Sequence, residues 1–379
     1  MSENTFGPIA GSTILNGITG RKAIIMAANI RIATVARGIF RAAKDTDSAV
    51  FMELARSECD LKGGYTGFTP KTFSETMNKA AQTEEFDIWA LHADHISVKT
   101  GEPAEIDGTK QLIDAQIAAG YTSFAIDASH LFNFEGKNVR EELEKNIVAT
   151  TDLARHIKSR MNGKEFGLEV EVGEIGRKDG QGLILTRPEE AVAFIKSLQE
   201  NDVYPQVLAI ANGSTHGHVY DALGNVVEQL SIDIPQTKAV AKALRDNNLQ
   251  VGIAQHGITG TPRDLINQHF PKGDIIKGNV GTFWQDVVFG ILKVYEPALY
   301  KDIQEWTLGK YRPLNSGKTD KQIFDGNCKM AIKEFFKELY AVDSTTEDAI
   351  EAMAYAESLV FFRAFSSYGT ASLVRKSLK

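Results

Sequence analysis

The stretch Leu91-His92-Ala93-Asp94-His95 sets a carboxylate beside an imidazole at the end of the apolar run Phe86-Asp87-Ile88-Trp89-Ala90. Three further His-bearing stretches share this form: Asp127-Ala128-Ser129-His130, Gly213-Ser214-Thr215-His216-Gly217 and Gln255-His256-Gly257. Neutral imidazole suits zinc, and a catalytic zinc keeps three protein ligands and one open position. His95, His216 and His256 are therefore candidate ligands of one divalent metal. Taken singly, each reads more readily as an ordinary, partly buried histidine with a hydrogen-bonded ring; three at strand ends beside Gly or Asp shift the reading toward metal. Asp94 is a candidate general acid/base or an orienter of a ligand. Glu169 and Glu171 alternate on strand-like sequence and share a face; turned inward they need a cation or donors, since unpaired buried carboxylates are costly. The bland reading of Glu169 is a lysine-paired residue inside a barrel, and Asp127 has the same ambiguity.

Two glycine-bearing loops are candidate phosphate cradles. Gly217 follows His216, and Gly257-Ile258-Thr259-Gly260 follows His256; Asn279-Val280-Gly281-Thr282 closes the next apolar segment. Exposed backbone N–H groups and hydroxyls there suit an anion.

Side chains so far apart in sequence meet only if their strands share a sheet. Strand-like runs cover 22–29, 49–55, 86–95, 122–127, 167–173, 207–212, 251–256 and 274–279. Helical periodicity lies between most of them: 31–44, a helix opened by Pro70, 107–119 ended by Gly120, 139–159, 188–199 with a capping box from Thr186 to Glu189, 237–247, and a helix with Pro262 at its first position. Eight strands alternating with helices predict an α/β fold, a (β/α)8 TIM barrel, with the active site at the C-terminal strand ends. Three amphipathic segments remain, 283–306, 320–340 and 345–365. The first is expected partly to close the barrel, and the others to form a helical extension or dimer surface. The expected division is a barrel domain at 1–300 and a C-terminal helical extension at 301–379.

At 379 residues, 43% hydrophobic and 24% charged, the chain has a globular composition. A net charge of −7 favours neither nucleic acid nor an anionic membrane. Cys59 and Cys328 are distant and in no C-x-x-C arrangement, which argues against a disulfide framework or a thiolate zinc site. No signal-peptide pattern and no apolar run long enough to span a bilayer is present, so a cytoplasmic protein is expected. No G-x-G-x-x-G follows the first strand, which argues against a dehydrogenase.

On His92-Ala93-Asp94-His95, Ile126-Asp127-Ala128-Ser129-His130, Glu169-Val170-Glu171-Val172-Gly173, His216-Gly217 and His256-Gly257, the chain resembles the class II, metal-dependent fructose-bisphosphate aldolases from about Asn29 to Thr282. The resemblance implies zinc or another divalent metal on His95, His216 and His256, with room for a monovalent cation. It makes Asp94 the catalytic aspartate, Glu171 an alternative metal ligand and Asp127 an acidic residue behind the ligands. Asn29 and Asn279 would contact substrate, and Gly217, Gly257, Thr259 and Thr282 would bind phosphate. The implied reaction is reversible cleavage of fructose 1,6-bisphosphate, a carbon–carbon lyase step, by a homodimer or larger homo-oligomer.

Three departures bear on the substrate. The loop after the fifth strand, Glu174-Ile175-Gly176-Arg177-Lys178-Asp179-Gly180, lacks the usual paired glutamates, leaving Glu174 and Asp179 as candidate bases. Asn279-Val280-Gly281-Thr282 lacks the usual aspartate, and Gly257-Ile258-Thr259-Gly260 replaces a Gly-Gly-Ser-Gly type loop. Three competitors follow. One is an aldolase for tagatose 1,6-bisphosphate or another phosphorylated ketose. A second is a non-catalytic accessory subunit, because residues 63–70 resemble a loop of such subunits. The third is a Schiff-base aldolase using Lys277. Arg363 is a candidate for reaching a neighbouring subunit's phosphate.

Overall fold

The computed structural model describes residues 5–179, 182–215, 217, 219–221 and 226–378. Eight parallel strands close into a barrel: β1 (Ile25–Asn29), β2 (Val50–Ala55), β3 (Trp89–Ser97), β4 (Ser123–Asp127), β5 (Gly167–Glu171), β6 (Val207–Ala209), β7 (Gly252–Gln255) and β8 (Ile275–Val280). Each pairs with its sequence neighbours, and β8 closes on β1 with Ile25 opposite Lys277. The apolar runs form strands because both faces of a parallel barrel strand are covered. Helices α2 (Ala36–Asp45), α3 (Pro70–Glu84), α4 (Pro103–Ala118), α5 (Val139–Met161), α6 (Pro188–Glu200), α7 (Ile234–Asp246), α8 (Arg263–His269) and α9 (Thr282–Tyr295) follow the strands in turn. Helix α1 (Gly11–Gly17), which the hydrophobic pattern did not signal, lies under the barrel, where the Gly11 N–H donates to Thr122 O at 3.1 Å.

The C-terminal segment wraps back onto the barrel. After α10 (Pro297–Tyr311), α11 (Asp320–Asn327) and the short α12 (Phe336–Leu339), helix α13 (Ser344–Ala364) packs along α2, and α14 (Thr370–Ser377) packs on α1. The Phe365 carbonyl accepts the Ile24 N–H that leads into β1, at 3.0 Å. Aromatic pairs fill the layer between barrel and helices, among them Phe40 against Trp89 at 5.3 Å and Phe283 against Phe361 at 5.1 Å.

Several local expectations shift. The expected capping box from Thr186 to Glu189 does not form, because the Thr186 hydroxyl accepts the Ala211 N–H at 2.9 Å; instead the Glu190 carboxylate accepts the Arg187 N–H at 2.7 Å. Pro262 precedes the first residue of α8 rather than starting it. The segment 283–306 is two helices, broken at Glu296 before Pro297. Among the described residues no helix is long and apolar enough to cross a membrane.

Candidate functional site

A cavity of about 650 Å³ opens at the C-terminal ends of the strands. Asp94, His95, Asp127, Glu171, His256, Gly217, Gly257, Thr259, Asn279, Thr282 and Asn29 all line it. His216 lies outside the described residues.

Strand β3 explains how Asp94 and His95 both reach this space. Successive strand residues point to opposite faces, so two neighbours cannot both face inward on regular backbone. Between β3 and β4 the register runs from Ala93 opposite Phe124 to Ile96 opposite Ile126, so β3 carries one extra residue. This is a β-bulge, and His95 sits in it at φ 38°, a left-handed conformation that costs a non-glycine residue energy. The bulge turns the imidazole to the same side as the carboxylate. Ligand atoms of Asp94, His95 and His256 come within 4.8 Å of one another, and the His95 and His256 rings lie 4.6 Å apart. A second group of the same kind joins His95 to Asp127 and Glu171.

Behind His95, its Nδ1 is 3.2 Å from Glu171 Oε2 and 3.6 Å from Asp127 Oδ2. Asp127 is held by Ser97 Oγ at 2.9 Å and Ser129 Oγ at 2.7 Å. Burial opposes ionisation of both carboxyls. It wins at Glu171, where it and the Asp127 charge push the carboxyl up to about 7. At Asp127 the His95 ring and Ser129 outweigh burial and hold the carboxyl below its ordinary value. Burial likewise lowers the His95 imidazole, but Asp94 and Glu171 raise it well above its ordinary value. A cation is strongly favoured here, and two imidazoles with carboxylates are the donor set of a divalent metal. The residues present fit one.

Below this layer lies a buried polar network. The Lys277 ammonium, 1% exposed, pairs with Glu169 Oε2 at 2.8 Å and with Glu53 Oε2 at 3.2 Å. It is also 3.3 Å from Asn279 Oδ1 and from His92 Nε2. His92 Nδ1 lies 2.7 Å from Ser123 Oγ. Burial and Lys277 lower the His92 imidazole far below its ordinary value, so it is neutral: Nδ1–H donates to Ser123 and Nε2 accepts from Lys277. Burial pushes Glu53 up, and the Asp94 charge adds to it. Asn279 Nδ2 then donates to Glu53 Oε1 at 2.9 Å and to Asp94 Oδ1 at 3.1 Å. Asn279 thereby links the buried charges to the carboxylate in the mouth.

The arrangement speaks against a Schiff base on Lys277, whose nitrogen is buried between Glu169 and Glu53 and out of a substrate's reach. Burial opposes its charge, but Glu169, Glu53 and Asp94 outweigh burial and raise it. Glu169 takes the lysine-paired place weighed for it. Glu174 lines the cavity, 3.5 Å from His130 Nδ1 and 3.0 Å from Arg177 Nη1; the Asp179 side chain lies outside what is described. Arg363 is at the opposite end of the barrel, beside Arg21 and Asn267.

Glu53, Lys277 and His92 were not singled out as a network by sequence. Their signal was a charge in the middle of an apolar strand, as in Phe51-Met52-Glu53-Leu54. On the β1 side, Arg31 is paired with Glu58 at 2.9 Å, and Tyr65 Oη donates to Glu58 Oε1 at 2.6 Å. Neither Arg31 nor Glu58 was marked by any motif.

The model of the family described as fructose-bisphosphate aldolase class-II matches residues 10–346. A D-tagatose 6-phosphate 4-epimerase of Agrobacterium fabrum is 32% identical over 101 residues, which is 25% of this chain and 24% of that protein. The chain's match thus spans about a quarter of that relative's length. Among solved structures, the YdjI aldolase of Escherichia coli K12 is similar at TM-score 0.61 and 17% identity, covering 96% of this chain and 99% of that one. A fructose-bisphosphate aldolase of Campylobacter jejuni is similar at TM-score 0.61 and 18% identity, covering 96% and 97%. A probable tagatose 6 phosphate kinase of Sinorhizobium meliloti 1021 reaches TM-score 0.63 at 14% identity, covering 94% and 98%. At these identities the structures speak for the fold alone.

Proposed function

The chain belongs to the class II fructose-bisphosphate aldolase family, and on that premise we propose that it reversibly cleaves a phosphorylated ketose, with fructose 1,6-bisphosphate as the first substrate to test. The observation that carries this reading is the β3 bulge, which brings Asp94 and His95 together into a mouth shared with His256. His95 and His256, joined by His216, would hold a divalent metal, zinc by donor type, with Glu171 as an alternative ligand. When bound, the metal supplies a Lewis acid that polarises the substrate's carbonyl.

The chain's own residues do the rest. Asp94, fixed by the Asn279 amide, exchanges a proton with the hydroxyl formed or lost at the cleaved bond. Asn279 is spent on Glu53, Asp94 and Lys277, which supports an orienting duty for it. Asp127 and Glu171 fix the His95 ring through Nδ1. Gly217, Gly257, Thr259 and Thr282 form the wall suited to phosphate, and Asn29 lines the cavity beside them.

The test is a coupled assay for triose phosphate release by the zinc-loaded chain. Asp94→Asn, near-isosteric, is expected to lower kcat at least about 100-fold with the fold unchanged. Full activity in that variant would remove Asp94 from the reaction. A second reading rests on the 101-residue similarity to the tagatose 6-phosphate epimerase. Cleavage followed by re-addition to the other carbonyl face needs the same residues. A C4 epimer forming without free triose phosphate would favour it over cleavage; tagatose 1,6-bisphosphate belongs in the same panel.

A further inference from the structure

Arg31 leaves β1 at the cavity rim and is tightly held. Its Nε donates to Glu58 Oε1 at 2.9 Å and lies 3.2 Å from Asn29 Oδ1. Its Nη1 donates to Thr282 Oγ1 at 3.3 Å and to Gln285 Oε1 at 3.2 Å. Among the described residues, no hydrogen bond uses the two N–H groups of Nη2. That nitrogen faces Gly281: a Cβ added there would lie 3.4 Å from it. A glycine at 281 keeps this end of the guanidinium open to the cavity.

Glu58 does not draw Arg31 away from a ligand; it aims it. Its two oxygens already accept from Asn29 Nδ2 at 2.5 Å, the Ala55 N–H at 2.7 Å and Tyr65 Oη at 2.6 Å. Lys329, between α11 and α12, lines the same wall, and its ammonium makes no hydrogen bond or ion pair among the described residues. Its nearest aromatic is Tyr65, with Nζ 5.7 Å from the ring centroid. Burial, and the Arg31 charge after it, lower its ammonium. Arg31 and Lys329 therefore share a wall with Glu58, whose two oxygens are engaged; Asp60 lines the same cavity, and the Asp286 charge also acts on Arg31. Thr282 opens α9 there, and the Thr259 hydroxyl accepts the Phe283 N–H at 3.2 Å, so both hydroxyl protons remain to be donated.

We propose that Arg31, with Lys329 beside it, is a substrate-binding residue that seats a phosphate dianion against Thr259 and Thr282, in space that Gly281 leaves open. With Nε and Nη1 engaged, Nη2 offers its two N–H groups to phosphoryl oxygens from a guanidinium plane that Glu58, Thr282 and Gln285 hold fixed. A lysine's point charge does not reproduce that anchoring. The proposal deepens the aldolase reading by naming a residue that reads the substrate's phosphate. It predicts that a carboxylate, with two oxygens, binds more weakly than a phosphate.

The test is calorimetric titration of the full-length chain with inorganic phosphate, and with acetate as the second arm. Phosphate should bind the wild type at least tenfold tighter than acetate. Arg31→Gln should weaken phosphate at least tenfold, but it also strands Glu58. Arg31→Lys keeps a charge for Glu58 without the anchored guanidinium, and Gly281→Asp sets a carboxylate against Nη2. Both should weaken phosphate at least tenfold in a chain that melts like the wild type. Wild-type phosphate affinity in folded Arg31→Lys and Gly281→Asp would overturn the proposal, as would equal affinity for phosphate and acetate. Binding is read without turnover. An inactive chain with Arg31-dependent phosphate affinity overturns the aldolase reading alone, and an active chain indifferent to Arg31→Lys overturns this one alone.

Discussion

Asp94 is useful only if its carboxylate keeps one orientation, and that orientation comes from charges it does not touch. Asn279 bonds it at 3.1 Å, and Asn279 is itself held by Lys277 and Glu53. The ammonium at the centre is buried among carboxylates, so removing it leaves them unpaired. Lys277→Met is expected to cost about 3–5 kcal/mol in urea unfolding, with part of the loss recovered when Glu53→Gln and Glu169→Gln are added. Equal stability of the single variant would mean that the network is solvated rather than closed. Sequence parity identified Glu169 and Glu171 as inward-facing, but it gave Lys277 no cause to be more than a strand-end lysine. Only three-dimensional closure of β8 on β1 brings Lys277 across to Glu53 and His92.

At the scale of elements, two contacts decide how the site is held. The first is the loop after β3, clasped by Glu105 on α4. The Glu105 carboxylate accepts from the N–H groups of Lys99, Thr100 and Gly101 and from the Thr100 hydroxyl. Burial is the largest single influence and opposes its charge, yet these bonds together outweigh it and hold it down at about 2. Its folded pKa is therefore below the unfolded value near 4.3. The clasp contributes fully above that value and is lost as pH falls toward about 2. In Glu105→Gln the stability profile should be flatter between about pH 4.5 and 2 than in the wild type; identical profiles would show that the clasp adds nothing. The second contact is α13 on α2. A Cβ at Gly38 would meet the Glu351 carbonyl at 2.2 Å and the Tyr355 nitrogen at 2.8 Å, both backbone. Gly38→Val should therefore cost about 1–3 kcal/mol in denaturant unfolding, and a neutral result would mean that α13 is only loosely docked. The strands were legible as apolar runs, the fifth from its alternation, and seven of the eight end at His, Asp, Asn or Gly. The docking of α13 was not, because amphipathic spacing says that a face is covered but not by what. The break at Pro297 was there to be read, since the residue before proline resists the helical conformation.

For the whole molecule, the barrel's purpose is convergence: strands β3, β5, β7 and β8 contribute Asp94 and His95, Glu171, the residue after Gln255, and Asn279 to one mouth. The order of strands and the ring of helices followed from periodicity alone. The inward turn of His95 did not, for alternation would have sent it to the opposite face from Asp94. No residue type announces a bulge at that position, and the resemblance on His92-Ala93-Asp94-His95 stood in for the missing geometric argument. The most direct test of the account is the metal content of purified protein by mass spectrometry, for the wild type and for His95→Ala, His216→Ala and His256→Ala. One divalent ion per chain in the wild type, removed together with activity by EDTA and lost in each of the three variants, is the expected result. A wild type that stays metal-free in added zinc, or that turns over phosphorylated ketose unchanged in EDTA, would contradict it.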